Sequence, residues 1–277
     1  MAIEWLRAKS CRYGDRDRMD KLFSLEGRTA LITGGSRGIG EMIAEGFLQA
    51  GAKVYISARK AAQCQETAVR LSEFGTCIAL PADASGAAGA RQLAAQYLTH
   101  EKTLHILVNN AGAAWGADFA TFPESGWDKV VDINMKTPFF LTQALHGALK
   151  AAATSDKPSK VINIASIDGL SVNMQETYSY AASKAGLIHL TKRMALSLAK
   201  DNIVVSAIAP GAFPSDMNKV ARDEGERLSK EIPAGRVGSK TDMAGAAIFL
   251  ASSAGDYVLG STLVVDGGAA STRQVSG

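Results

Sequence analysis

The sequence is poor in the residues and patterns on which several classes of protein depend. Its 277 residues include three cysteines and four histidines. Neither residue type shows the paired spacing of a disulfide framework or a zinc site, so we expect no bound metal and a reducing, cytoplasmic location. No run of about 18 apolar residues occurs, which predicts no membrane-spanning helix and no membrane partner.

The charge is also modest. The formal net charge is +3, and the basic residues form no stripe of the kind that nucleic-acid-binding proteins carry. We therefore expect no nucleic-acid partner. Apolar residues make up 47% of the chain and charged residues 21%, a mixture typical of a soluble globular protein, and the length suits one large α/β domain.

The first 22 residues differ from the rest. Acidic and basic residues alternate in this segment without the apolar core of a secretory signal, and the acidic residues disfavour a transit peptide. We interpret residues 1–22 as an N-terminal tail, or as the result of a start codon assigned upstream of Met19. The remaining residues, 23–277, are predicted to form a single domain.

From residue 28 onward, short β-branched runs alternate with longer helical stretches, the pattern of βαβ units. This predicts a single-domain, doubly wound (Rossmann-type) parallel sheet of about seven strands, all buried on both faces, with helices on both sides and the ligand site at the carboxyl ends of the strands. The expected strands are 29–33, 53–58, 76–81, 104–109, 160–165, 203–209 and 263–266. The expected helices are 38–50, 61–74, 86–100, 124–150, 179–200 and 240–253. A charged insertion, 211–238, interrupts the alternation, and we expect it to be a substrate lid.

A glycine-rich turn follows the first strand. Gly34, Gly38 and Gly40 lie between that strand and a helix, where glycine permits a tight turn and brings backbone amides close to a pyrophosphate. This context favours a nucleotide site, although the spacing differs from the G-x-G-x-x-G fingerprint.

A second motif combines a phenol with an ammonium group. Tyr180 and Lys184 are four residues apart at the start of a predicted helix, and hence on one face of it. Lowering the pKa of a tyrosine from about 10 requires about 1.36 kcal/mol per unit, which a nearby ammonium can supply. Tyr178 lacks such a partner, because Ala182 follows it at the same spacing.

With these motifs in place, the chain resembles the short-chain dehydrogenase/reductase family over about residues 23–268. The segments that match the family's motifs are TGGSRGIG, NNAG, YAASK and the PG turn after the sixth strand. The resemblance implies the following cofactor-binding residues: Gly34, Ser36, Arg37, Gly38, Ile39, Gly40, Arg59, Asp83, Asn110, Ala111, Gly112, Tyr180, Lys184, Pro210, Gly211 and Ser215.

The family also implies a catalytic set of Asn134, Ser166, Tyr180 and Lys184. A nicotinamide hydride would reach a ketone carbon while Tyr180 protonates the oxygen, Ser166 orients it, Lys184 lowers the tyrosine pKa and Asn134 completes a proton relay. Ser166 and Tyr180 are 14 positions apart, one more than in many relatives, which affects substrate choice more than chemistry.

Cofactor choice can also be predicted. Relatives specific for NAD place an acidic residue at the end of the second strand, where this chain has Ala58 followed by Arg59. Arg37 lies across the same pocket. Two guanidinium groups can hold a 2′-phosphate, so we expect NADPH/NADP as the cofactor.

Within the family, FSLEGR, GGSRGIG, SGWDKV and PGAFPSDM are most similar to 3-oxoacyl-acyl-carrier-protein reductases, particularly the type associated with rhamnolipid synthesis. Lys157 matches one of two basic residues that dock the carrier in such enzymes, but Asp201 occupies the other position. A small-molecule ketone or an acyl thioester, with or without its carrier protein, is therefore the expected partner.

Other interpretations stay open at this stage. The same four residues suit a reductase or dehydrogenase of a free ketone, sugar alcohol or steroid-like alcohol, and a non-catalytic NADP-binding scaffold is a further alternative. The family also implies a homotetramer or homodimer, assembled through the helices predicted near 124–150 and 179–200.

Overall fold

The computed structural model describes residues 21–270, and its centre is one seven-stranded sheet in the order β3-β2-β1-β4-β5-β6-β7 with every pairing parallel. The predicted fold is confirmed. The strands are β1 (Thr29–Thr33), β2 (Lys53–Ser57), β3 (Cys77–Ala79), β4 (Ile106–Asn109), β5 (Ser159–Ile164), β6 (Ile203–Pro210) and β7 (Thr262–Val265). The first 20 residues of the predicted tail lie outside the described residues.

Ten α-helices, one π-helical turn and four short 3₁₀ turns are described within this range. The helices are α1 (Gly38–Gln49), α2 (Ala61–Leu71), α3 (Gly86–His100), α4 (Glu124–Val131), α5 (Thr137–Ala144), α6 (His146–Ala152), α7 (Tyr178–Leu198), α8 (Lys219–Asp223), α9 (Gly225–Ser229) and α10 (Lys240–Ala251), and the π-helical turn is Asp132–Lys136. The 3₁₀ turns are Phe119–Thr121, Ile167–Gly169, Ala199–Asp201 and Ser253–Gly255. None of the described helices is long and apolar enough to cross a membrane.

Successive side chains of the central strands enter two different cores. Ala30 and Ile32 of β1 pack on the side that contains α1 and α10, whereas Leu31 between them packs on the side that contains α3, α5 and α7. This alternation follows from the two-residue repeat of a strand. Because both faces are covered, β4, β5 and β6 are buried throughout their length.

The prediction that all seven strands are buried on both faces was wrong for two of them. β3 and β7 are only half-buried along their whole length. Both lie at an edge of the sheet, where a neighbouring strand covers one side alone. An edge strand and a central strand can be equally apolar, so composition alone does not distinguish them. The difference in burial follows from the order of the strands in the sheet.

The continuous helix predicted near 124–150 was also wrong. It is divided into α4, the π-helical turn, α5 and α6. Pro138 stands at the start of α5 and has no N–H to donate to the carbonyl four residues earlier. A wider π turn accommodates such a break, and π turns often coincide with functional positions. Asn134 lies within it.

Candidate active site

Four loops meet at one edge of the sheet, beyond the carboxyl ends of β1, β4, β5 and β6. They carry, in chain order, the glycine turn, the NNAG segment, Ser166 and the Pro210-Gly211 turn. Because all the strands are parallel, their carboxyl ends share this edge. The two halves of the sheet run outward from β1 and β4, so this is the switch point at which doubly wound sheets bind ligands.

The glycine turn is shaped so that side chains are excluded. Gly34 and Gly38 have positive φ values of +65° and +57°, and a Cβ on Gly40 would lie 2.3 Å from the carbonyl oxygen of Gly34. Helix α1 begins at Gly38, so its unpaired amides face the open edge. Ser36 is buried and its carbonyl accepts a hydrogen bond from Thr67, while Ile39 packs on the core. The turn is thus a rigid cradle for an anion.

The NNAG segment holds the glycine turn in place. Thr33 Oγ1 accepts hydrogen bonds from the backbone N–H groups of Asn110 and Ala111, both at 3.0 Å. The Asn110 amide donates to the carbonyls of Thr33 and Gly34 at 2.8 and 3.1 Å. The side chain of Asn110 therefore faces the turn and fixes its shape.

Two of the predicted cofactor-binding residues, Asp83 and Arg59, carry opposite charges. Asp83 is exposed and accepts a hydrogen bond from the backbone of Ser85 at 3.0 Å. Partial burial opposes ionisation of Asp83, but the bonds from Ser85 and the charge of Arg59 outweigh it and lower its pKa. Arg59 is itself exposed, so its guanidinium faces solvent at the end of β2, within electrostatic range of Asp83.

Arg37 points toward the segment that follows β6. Its guanidinium forms an ion pair with Asp216, and half of the Arg37 side chain is exposed. The structure thus places the two predicted phosphate-binding arginines, Arg37 and Arg59, each near a carboxylate. Sequence reasoning did not identify Asp216, because nothing in the local pattern relates residues 37 and 216.

The turn after β6 closes the other side of the cradle. Pro210 ends the strand, and a Cβ on Gly211 would lie 2.7 Å from the Cβ of Asp266, so glycine is required there. The Cβ of Ser215 lies 3.1 Å from the position that a Cβ on Gly38 would occupy. Ser215, one of the predicted cofactor-binding residues, therefore lies directly beside the glycine turn.

Tyr180 and Lys184 lie on one face of α7, as their spacing predicted. The Lys184 ammonium is 5.6 Å from the centroid of the Tyr180 ring and donates to the carbonyl of Ile164 at 2.7 Å. Burial raises the pKa of Tyr180 to about 12 and lowers that of Lys184 to about 8, while the charge of Asp168 raises both. Lys184 is not among the groups that shift the pKa of Tyr180 in this structure, and desolvation has the largest effect on it.

Ser166 combines a structural role with a position at the site. Its hydroxyl oxygen accepts a hydrogen bond from the backbone N–H of Asp168 at 3.1 Å, which caps the 3₁₀ turn Ile167–Gly169. A hydrogen bond from the same side chain to Tyr180 favours the phenolate and lowers the tyrosine pKa. Since the capping bond uses the oxygen as acceptor, the hydroxyl hydrogen can be donated either to Tyr180 or to a substrate oxygen.

Asn134 is held inside the π-helical turn. Its amide accepts from the backbone N–H of Ala113 and donates to the carbonyl of the same residue, both at 2.9 Å, and also donates to Ser183 at 3.0 Å. A Cβ on Gly112 would lie 3.1 Å from Asn134 Oδ1 and 3.8 Å from Lys184 Nζ. Gly112 therefore leaves room between the amide and the ammonium, as a proton relay requires.

The structure adds residues that sequence reasoning missed. Ser183 holds Asn134, and Asp168 places a negative charge near Tyr180 and Lys184. Ser183 lies inside the YAASK motif and Asp168 two residues after Ser166, so closeness in sequence to the motifs was the available signal. No group of three or more His, Cys, Asp or Glu side chains that could hold a metal occurs between residues 21 and 270.

The fold and the site define a dinucleotide-binding α/β protein with a tyrosine and lysine pair beside the nucleotide cradle. A family model described as enoyl-(acyl carrier protein) reductase matches residues 34–270. A rhamnolipids biosynthesis 3-oxoacyl-(acyl-carrier-protein) reductase of Pseudomonas aeruginosa is 47% identical over 253 residues, covering 90% of this chain and 99% of that protein. A 2-dehydro-3-deoxy-D-gluconate 5-dehydrogenase of Escherichia coli is 38% identical over 89% of this chain and 96% of its own.

A solved structure agrees with these comparisons. The Pseudomonas aeruginosa RhlG/NADP active-site complex is similar with a TM-score of 0.87 and 47% identity, covering 90% of this chain and 99% of that one. The chain belongs to the short-chain dehydrogenase/reductase family, as the resemblance predicted.

Proposed function

We propose that this chain is an NADPH-dependent oxidoreductase that reduces the ketone of a 3-oxoacyl thioester to a secondary alcohol. The observation that carries the proposal is the grouping of Tyr180, Ser166 and Lys184 beside the glycine cradle. A phenol with a pKa of about 12 keeps its proton at neutral pH, as a general acid must. A carbonyl oxygen between the two hydroxyl groups would accept a hydrogen bond from each.

The residues at the sheet edge fit NADPH. The turn leaves no room for a Cβ at Gly34 or Gly40, has a positive φ at Gly38, and presents the first amides of α1, which suits a pyrophosphate. Lys184 has three N–H donors and donates one hydrogen bond within the described residues, so two can reach ribose hydroxyls. When bound, NADPH supplies the hydride. A similar solved structure carries NADP in its active site.

The protein's own residues move and hold the proton. Tyr180 gives its phenolic proton to the substrate oxygen, and Ser166 donates the hydrogen that its capping bond leaves free. The ammonium of Lys184, with a pKa of about 8, stabilises the phenolate that results. Asn134 faces Lys184 across Gly112, on the route by which the proton is replaced.

The surroundings of the site favour an acyl chain over a sugar acid. The loop between Ser166 and Tyr180 exposes three large apolar side chains, and the segment after Ser215 exposes two more. They are Leu170, Val172, Met174, Met217 and Val220, with Val172 and Met174 almost completely exposed. Apolar surface gains from covering an acyl chain. In addition, the Asp168 carboxylate near Tyr180 repels a substrate that carries its own carboxylate.

The surface near Lys157 supports delivery by a carrier protein. Asp201, which replaces the second basic docking residue, holds His146 and Lys150 at 2.9 and 2.7 Å. The carboxylate therefore brings two basic side chains toward the place where a basic residue was expected. A carrier-bound thioester is our proposed physiological substrate.

Two further predictions belong to this proposal. The segment 211–238, with the short helices α8 and α9, would act as the substrate lid on the single domain 23–277. A homotetramer or homodimer in the cytoplasm stays the expected form of the enzyme.

A substrate panel tests the proposed function. With NADPH, 3-oxoacyl thioesters of increasing chain length should be reduced with rising kcat/KM, while a keto-gluconate should be a poor substrate. Val172→Ser should weaken the dependence on chain length, with Val69→Ser as the matched control, because Val69 is an exposed valine on α2. Equal efficiency for the keto-gluconate would contradict the proposal.

A variant of Asp168 provides a second test with the same substrate panel. Asp168→Asn removes the repulsion of a substrate carboxylate and should raise kcat/KM for the keto-gluconate more than for the thioester. An equal change for both substrates would show that Asp168 acts through Tyr180 alone.

Cofactor choice is tested by comparing NADPH with NADH. We expect a preference of at least about a hundredfold in kcat/KM, since hydrogen bonds to charged groups contribute about 1.5–3 kcal/mol each. Changing Arg37 and Arg59 together to alanine should remove it, mainly through KM. Equal use of NADH by the unmutated enzyme, measured at low salt, would refute the assignment.

A further inference from the structure

A chain of ion pairs connects the glycine turn with the segment after β6. Asp216 accepts from Arg37 through one carboxylate oxygen and from Arg222 through the other, the second contact at 2.7 Å. Arg222 lies on α8 and also holds Asp223 at 2.7 Å. All four of these side chains are about half exposed, so none of them is buried in the interior.

The position of Asp216 is well defined by its neighbours. Ser215 Oγ accepts from the backbone N–H of Asn218 at 3.1 Å, and the Asn218 side chain in turn caps α8 by accepting from the N–H of Ala221 at 3.0 Å. Ser215 also lies directly beside Gly38. The carboxylate of Asp216 is therefore held above the cradle that receives the phosphates.

In this geometry Arg37 can pair with either of two anions, the carboxylate of Asp216 or the 2′-phosphate of the cofactor. The arginine that the proposed function assigns to the 2′-phosphate is already paired with a carboxylate. We infer that Asp216 competes with the 2′-phosphate of NADPH for Arg37, weakens cofactor binding and thereby speeds release of the oxidised cofactor. The inference rests on the proposed function, since it requires that Arg37 binds the phosphate.

The free energies of the two interactions determine whether Arg37 pairs with Asp216 or with the 2′-phosphate. An exposed ion pair contributes about 0.2–1 kcal/mol, whereas a hydrogen bond from a charged donor to phosphate contributes about 1.5–3 kcal/mol. The phosphate therefore displaces Asp216 when the cofactor is bound, and the carboxylate recovers Arg37 when the cofactor leaves. Because Asp216 belongs to the segment that carries α8, this exchange couples cofactor release to the position of that segment.

The direct test measures binding of two cofactor fragments by calorimetry at low salt. Adenosine 2′,5′-bisphosphate carries the 2′-phosphate, and 5′-AMP does not. In Asp216→Asn, the bisphosphate should bind about two- to fivefold more tightly, the range of an exposed ion pair, while AMP affinity stays unchanged. Asp216→Glu should bind like the unmutated protein. Asp223→Asn, which removes a carboxylate held by the same Arg222, is the matched control and should show a smaller change.

Kinetics supply the second readout. If release of the oxidised cofactor limits turnover, Asp216→Asn should lower both kcat and KM for NADPH by a similar factor and leave both constants for NADH unchanged. In an Arg37→Ala background, the same change at Asp216 should have no effect on the bisphosphate, because the competition no longer exists.

The two possible failures are distinguishable. Bisphosphate that binds the unmutated protein no better than AMP overturns the assignment of Arg37 and the inference with it. If the unmutated protein prefers the bisphosphate but Asp216→Asn binds it equally or more weakly, the inference alone is overturned. A gain in affinity for AMP equal to that for the bisphosphate would also overturn it.

Discussion

Two lysines are buried at the two ends of β5, and their surroundings differ. Lys160, near the start of the strand, is 0% exposed and pairs with Asp256 at 2.7 Å. Lys184, which reaches the other end from α7, is 4% exposed and donates to the backbone carbonyl of Ile164, the last residue of β5. One ammonium has a counter-ion in its burial site, and the other has a carbonyl and an aromatic ring.

Burial lowers the pKa of both lysines, but the opposing effects are unequal. For Lys160 the bond and the charge of Asp256 oppose burial, whereas Lys184 has only the charge of Asp168 and its pKa falls to about 8. The comparison suggests that a buried charge with a structural role is neutralised locally. A buried charge with a catalytic role is left available to the phenol and the ligand beside it.

The largest effect should follow removal of the structural counter-ion. Asp256→Asn leaves the ammonium of Lys160 buried without a partner and takes a carboxylate from the nearby Arg28. The Asp256 side chain is 32% exposed, so we expect a loss at the lower end of the range for a broken buried pair, about 3 kcal/mol of the free energy of unfolding, measurable by urea denaturation. Turnover per folded molecule should be unchanged.

The control is a double variant in which the unpaired ammonium of Lys160 is also removed. Adding Lys160→Met to Asp256→Asn should recover most of the lost stability, since an apolar side chain of similar length needs no partner. If the double variant is no more stable than the single one, the pair is not the source of the loss.

The next effect concerns the acid at the other end of the strand. Tyr180→Phe removes the proton that the substrate oxygen receives, so kcat should fall by at least about a hundredfold, the lower end for general acid catalysis. NADPH affinity and thermal midpoint should be nearly unchanged. Tyr178→Phe is the matched control, because Tyr178 contacts Phe119 and Phe122. Near-normal turnover in Tyr180→Phe would exclude Tyr180 as the acid.

The lowered pKa of Lys184 predicts a dependence of stability on pH. Below pH 8 both the folded and the unfolded states hold the proton, and burial of the ammonium is destabilising. Between about pH 8 and the ordinary value of 10.5 the folded state has lost the proton that the unfolded state still binds, so stability rises.

This gain is absent from Lys184→Met. The free energy of unfolding of the unmutated protein should therefore rise relative to that variant by about 2–3 kcal/mol between pH 7 and pH 10, at about 1.36 kcal/mol per pKa unit. A constant difference across this range would show that Lys184 keeps an ordinary pKa.

The smallest effect should come from the support of the π-helical turn. Ser183→Ala removes one hydrogen bond of Asn134 and leaves its two bonds to Ala113. A hydrogen bond of this kind contributes about 1 kcal/mol, so kcat should fall about fivefold, with KM for NADPH unaffected. Ser183→Thr should retain most of the activity, because it keeps the hydroxyl.

The sequence alone determined the architecture and the main motifs. Alternation of apolar runs and helical stretches was sufficient for seven parallel strands, because each strand of such a sheet needs a crossover helix that leaves a local pattern. The four-residue spacing of Tyr180 and Lys184 and the glycine turn are likewise local, so they were predictable. The roles assigned to these residues came from the family resemblance and stay predictions.

Only the tertiary structure shows which charged side chains form ion pairs. The pairing of Arg37 with Asp216 and that of Lys160 with Asp256 join residues far apart in the chain, and no local pattern records them. The same holds for the half-burial of β3 and β7, which depends on strand order. The pKa of Tyr180 was expected to fall beside Lys184, but it rises because the folded chain removes water from the phenol. Desolvation depends on what covers a group, and that is a property of the complete fold.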